Sequence, residues 1–218
     1  MKKLSTIEKM LAASLAFTFL LLAIRVSIAH QTMYLFYVWN LFLAAIPLVI
    51  SRRLGWQDTF NFKSCLLLMG WLLFFPNAPY IITDIFHYEN RPPLPMWFDL
   101  LLVLNAAWSG LMFGLCSLLQ VELFLSRCLK PIWVSIYING SLVLCGYGIY
   151  LGRFLRFNSW DIITAPHELF VASFQHIFNP FDHRGTWGFS LLFGISLILF
   201  YYTLKSFNKL SGEKNSVE

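Results

Sequence analysis

Charge is scarce in this sequence. Only 12% of its 218 residues are Asp, Glu, Lys or Arg, while 58% are hydrophobic; an ordinary soluble domain carries about 25% charged residues. A soluble globule of this composition would have too little polar material to cover its surface. A bilayer, which takes about 20 apolar residues per crossing helix, accommodates it. Paired cysteines are missing too. Cys65, Cys116, Cys128 and Cys145 form no Cys-x-x-Cys motif, so they read as reduced thiols and argue against a disulfide framework or a thiolate zinc site. There is no phosphate-binding Gly-x-x-x-x-Gly-Lys loop, no His-Glu-x-x-His, no Gly-x-Ser-x-Gly and no dinucleotide fingerprint. No internal repeat and no low-complexity tract stands out. The net charge of +5 would point to nucleic acid in a soluble protein, but nothing else supports that partner. No metal site is expected and no cofactor is identified.

Long apolar runs are what the sequence does have. They fall at about 10–29, 33–50, 64–83, 97–119, 132–152 and 187–207, each near the length of a bilayer crossing. The expected fold is all-α: a polytopic transmembrane bundle of about six spans forming one membrane domain over 1–207, followed by a polar tail over 208–218. A basic start, the apolar run from Met10 to Ile24 and the small residues Ser27 to Ala29 imitate a signal peptide. Arg25 inside the run and the length of the run favour an uncleaved anchor; cleavage would leave five spans.

Orientation follows from the placement of Lys and Arg. Eleven lie on one side: Lys2, Lys3 and Lys9 at the start, Arg52, Arg53 and Lys63 in the second loop, Arg127 and Lys130 in the fourth, and Lys205, Lys209 and Lys214 at the end. Arg25, Arg91, Arg153, Arg156 and Arg184 are the five on the other side. The positive-inside rule therefore puts both termini in the cytoplasm. All five histidines, and the acids Asp84, Glu89, Asp99, Asp161, Glu168 and Asp182, then gather on the outer side.

Three places there could carry chemistry. In the third span, Pro76 and Pro79 each remove an amide donor and disfavour helical geometry at Phe75 and Ala78, so the span should break. A new half-helix near Asn77 would bring a positive end into the membrane, suited to an anion. If helix continues, Asp84 and His87 share a face, as an acid–base or ligand pair would; a plain proline kink with an interfacial histidine explains the same residues. Arg25 and Asp99 lie just inside span ends, where an ionisable side chain snorkels, pairs or lines a polar cavity. At the end of the fifth span, Arg153 and Arg156 are one turn apart and could grip phosphate or carboxylate, with Asp161 close by in sequence. Gly148 and Gly152 form a small-xxx-small pair for a helix contact, and Asn105 and Asn139 suit interhelical hydrogen bonds. Pro166 to Phe178 reads as a short helix with Leu169, Phe170, Phe174, Ile177 and Phe178 on one face, lying in the outer interface or capping the loops.

The segment from Phe75 to His87 and the segment from Gly152 to Asp161 resemble a bacterial multi-pass membrane family, the domain of unknown function thirteen sixty-one. The resemblance covers roughly residues 20 to 205. It implies a bacterial plasma (inner) membrane location and supplies no activity, so no residue role is carried over. Three functions stay open. One is an outward-facing site that binds or processes an anionic or lipid-linked envelope molecule, using Asp84 and His87 with Asn77, Asp99, Arg153, Arg156 and Asp161. The others are a structural partner of another membrane protein and a small transporter.

Overall fold

A computed structural model describes residues 6–30, 32–89 and 91–214, excluding the side chains of His87 and of residues 208–214. The described chain is helical. Its elements are α1 (Thr6–Ala29), a 3-10 turn (Met33–Leu35) running into α2 (Phe36–Gly55), α3 (Phe62–Phe74), α4 (Asn77–Tyr80) and a 3-10 segment (Ile81–His87). Then come α5 (Met96–Cys128), α6 (Pro131–Phe154), α7 (Asp161–Thr164), α8 (Pro166–Phe178) and α9 (Arg184–Lys214). Among the described residues six stretches are long and apolar enough to cross a bilayer: Thr6–Ala29, Met33–Gly55, Phe62–Phe86, Met96–Cys128, Pro131–Phe154 and Arg184–Phe207. Each matches one of the expected spans. Leu20, Phe42, Met69, Leu123, Leu144 and Leu192, one from each stretch, are more than half exposed. Apolar side chains bared this widely suit lipid rather than water.

Local chemistry sets several boundaries. The Asn61 side chain caps α3 by accepting the Ser64 amide at 2.9 Å. Pro131 and Pro166 open α6 and α8 at the first-turn position, where a missing amide costs nothing. α1 and α6 stop where the chain turns left-handed, at His30 (φ 51°) and Arg156 (φ 61°). α5 has 33 residues, which makes it about 50 Å long. It continues past the expected end at 119 because the charged residues there, Glu122 and Arg127, are compatible with helix.

The chain divides into two compact units, Met1–Cys128 and Leu129–Glu218. In the first, α2 and α5 form the central contact, with α1 and the α4 region also packed on α5. Leu41, Ala44, Leu102, Ala106 and Phe113 are among its buried core. Hydrogen bonds fix the register of this apolar packing. Asn105 Nδ2 donates to Thr18 Oγ1 at 2.6 Å and to the Ser14 carbonyl at 3.0 Å. Ser51 Oγ donates to Gln120 Oε1 at 2.9 Å, and Trp71 Nε1 donates to Ser117 Oγ at 3.1 Å. Such bonds between membrane helices are worth about 0.6 kcal/mol each, so they specify alignment more than they add stability.

The second unit is built on α6 against α9. A Cβ at Gly146 would collide with the Ser190 carbonyl, and one at Gly194 would come within 3.0 Å of Val143 Cα. Gly146 and Gly194 therefore sit at a tight approach of α6 and α9. Asn139 Nδ2 donates to Tyr202 Oη at 3.2 Å, an interhelical bond as expected.

The third span breaks at Pro76, as the two prolines predict, but in a different way. Phe75 keeps right-handed helical dihedrals (φ −55°, ψ −40°), and Ala78 lies within α4. The chain tightens into one α-turn and then a 3-10 helix instead of swinging away. Local donors absorb the disruption: the Ala78 amide bonds to the Phe75 carbonyl at 3.2 Å, and Asn77 Nδ2 to the Phe74 carbonyl at 2.9 Å. The compact segment seats Ala78 against α5 at Gly110 and Gly114. A Cβ on Gly110 would lie 2.5 Å from the Ala78 carbonyl oxygen. α4 is four residues long, so the expected half-helix with a positive end is not formed there.

Candidate functional site

The most unusual chemistry in the first unit is a buried ion pair. Arg25 is in the last turns of α1 and Asp99 in the first turn of α5. Each charge therefore sits at the helix end whose dipole favours it, the cation at a C-terminus and the anion at an N-terminus. Arg25 Nε is 2.7 Å from Asp99 Oδ1, and the side chains are 1% and 0% exposed. The approach lacks hydrogen-bond alignment, so it is an ionic contact more than a directed bond. Arg25 Nη2 donates to the Arg91 carbonyl at 2.8 Å.

Tyr34 completes this cluster. Its ring lies 5.2 Å from the Arg25 guanidinium carbon and 5.9 Å from that of Arg91, a cation–π arrangement worth about 0.5–2 kcal/mol. Its hydroxyl is within reach of the Asp99 carboxylate but not aligned with it. Arg91 also pairs with Glu89 at 2.9 Å and touches Met33 Sδ. That pairing holds the Arg91 guanidinium even more firmly charged than usual. Arg25 Nη1, Asp99 Oδ2 and the Tyr34 hydroxyl are buried, and none of them makes an aligned hydrogen bond. Buried polar atoms are normally satisfied by protein, water or ligand, so this cluster can still accept and donate hydrogen bonds.

A second buried carboxylate lies on the 3-10 segment. Asp84 is 2% exposed, and its Oδ2 accepts a bond from Asn40 Nδ2 at 3.3 Å. Asn40 belongs to α2, one turn beyond Tyr37, and Tyr37 stacks on Tyr34 with ring centroids 6.2 Å apart. Tyr34, Tyr37 and Asn40 thus form a polar edge between the Arg25–Asp99 pair and Asp84. In a 3-10 helix residues three apart eclipse, so positions 84 and 87 share an edge. The His87 side chain lies outside the described residues.

The remaining candidates have separate surroundings. Asn77 is half-buried and bonds to the Phe74 carbonyl. In the second unit α6 ends between Arg153 and Arg156, so the two are not on a common helical face. Arg153 is half-buried in the last turn, whereas Arg156 is exposed beyond the left-handed turn. Asp161 binds its own turn: Oδ2 accepts the Asn158 amide at 2.6 Å, and Oδ1 accepts the Thr164 hydroxyl at 2.8 Å. The Asn158 amide, followed by the Thr164 hydroxyl, holds its carboxyl below the usual carboxylate value. Among the described residues no three His, Cys, Asp or Glu side chains converge as a metal site would require. Sequence reasoning missed Tyr34 and Asn40. A tyrosine at the start of an apolar run and an asparagine two turns into it were the available signal.

These features define a multi-pass α-helical membrane protein with buried charge at the Arg25 end of its first unit. The model of the family described as "Protein of unknown function (DUF1361)" matches residues 39–200, and the chain belongs to that family. No curated protein and no solved structure matches it.

Proposed function

We propose that the first unit holds an outward-facing polar site, in a bacterial plasma membrane with both chain termini cytoplasmic, that receives the anionic, oxygen-rich headgroup of an envelope lipid or lipid-linked molecule. The observation carrying this reading is the Arg25–Asp99–Tyr34 cluster, whose buried donors and acceptor make no aligned hydrogen bond. Arg25 Nη1 and the Tyr34 hydroxyl suit a phosphate or carboxylate oxygen, and Asp99 Oδ2 suits a headgroup hydroxyl. Arg91, at the exposed edge, adds attraction for an anion. Asp84 and His87 are the acid–base candidates beside it, and Asn77 borders the same broken span. The second unit by itself offers a separate anion-binding candidate at exposed Arg156, with Arg153 and Asp161 near it in sequence.

Native mass spectrometry of the protein extracted with a mixed lipid pool tests this. An anionic glycerophospholipid or lipid-linked anion should be retained by the wild type. Arg25→Gln should weaken that retention about tenfold, a loss of about 1.4 kcal/mol. Equal retention by both, with helix content unchanged, would contradict the proposal. A structural-partner role is the second reading, favoured by the close-packed glycines; crosslinking in cells that returns only monomer would remove it.

A further inference from the structure

The second unit contains a histidine pair that the proposed site does not use. α8 carries the row Phe170, Phe174 and Phe178 on its outside; Phe170 is 68% and Phe178 65% exposed. On the opposite side one residue, His176, is buried, at 5% exposure. Its Nδ1 is 3.0 Å from the Tyr147 hydroxyl of α6. Its carbonyl accepts a hydrogen bond from Trp187 Nε1 of α9 at 2.9 Å. Its ring meets those of Tyr147 and Tyr150 edge-on, both at 5.9 Å, and that of His183 at 4.6 Å. The helix is thus docked through an imidazole inside an aromatic box, with a second imidazole beside it.

We propose that His176 and His183 form a proton-sensitive latch, which holds α8 on its unit at neutral pH and releases it on acidification. The groups facing His176 are the neutral phenols Tyr147 and Tyr150 of α6, His183 of the 179–183 turn, and the indole of Trp187 on α9. None of these carries a negative charge at neutral pH that could offset an imidazolium. Burial first, and then His183, push the His176 imidazole below its ordinary value of 6.5. Docking therefore favours the neutral ring. Its contribution is full above the ordinary value and is lost as pH falls through the depressed one. A charged His176 ring would be buried among these neighbours with no carboxylate facing it. Once undocked, the phenylalanine row can roll toward an apolar surface without the constraint of the box.

Hydrogen–deuterium exchange on the full-length protein in nanodiscs tests the latch, with rates corrected for the intrinsic effect of pH. Between about pH 7.5 and about pH 5, exchange over 166–178 should accelerate by about tenfold while 96–128 is unchanged. His176→Gln should abolish this response, and His183→Gln should shrink it by removing the repulsive partner. The protection of 131–154, α6 of the same unit, reports that each variant is folded. A pH-independent wild type, or a full response retained by His176→Gln, would overturn the proposal.

Discussion

A single arginine or aspartate at the depth of Arg25 and Asp99 would be costly, and together they are tolerable. Removing one partner leaves a buried uncompensated charge, a loss of about 3–5 kcal/mol, whereas replacing both with apolar residues is often neutral. Arg25→Met or Asp99→Leu alone should therefore lower thermal stability in detergent strongly, and the double variant should recover most of it. A double variant as unstable as the worse single one would contradict the pairing. Arg156 holds a backbone conformation that ordinarily falls to glycine, at a cost of about 1–2 kcal/mol. Arg156→Gly should raise the unfolding temperature slightly while weakening anion retention; loss of stability would show that the arginine side chain holds the turn. Asp161 gives a pH-dependent case. Its lowered carboxyl means that the 158–164 turn is fully supported above the ordinary value of 3.8 and weakens as pH falls through the depressed one. Asp161→Asn should remove that acid dependence, read as amide exchange at Asn158.

At the scale of elements, glycine decides where helices touch. Gly110 faces the Ala78 carbonyl, whereas Gly140 has nothing within 4 Å. Gly110→Val should disrupt the seating of α4 on α5 and cost about 1–3 kcal/mol by overpacking, while Gly140→Ala should be silent in the same melting assay. Equal tolerance of both would show that the broken span is not anchored there. The six spans were legible in the sequence because hydrophobic length is a local property, and the helix over 166–178 was legible from Pro166, Asn179 and the apolar face between them. Two prolines foretold the break in the third span but not its form. A 3-10 continuation depends on how Ala78 fits against glycines more than thirty residues away. The Arg25 and Asp99 positions were each conspicuous, but their pairing is set by α1 packing on α5, which no local pattern encodes. Tyr34 and Asn40 were hidden for the same reason. Each looks ordinary in a span until a neighbouring helix turns a carboxylate toward it.

For the whole molecule, the decisive question is which side of the membrane carries the polar ends of the helices. Six crossings return the chain to its starting side, and Lys and Arg concentrate on that side by eleven to five. Under the proposed topology the loops after residues 29 and 87, beside the Arg25–Asp99 cluster, and the loop after 154 lie outside the cytoplasm. Fusions of a reporter that is active only outside the cytoplasm measure this directly. Placed after Glu89 or Arg156 the reporter should be active, and placed after Lys130 it should be silent. The reverse pattern would turn the buried charges toward the cytosol and contradict an envelope-facing site.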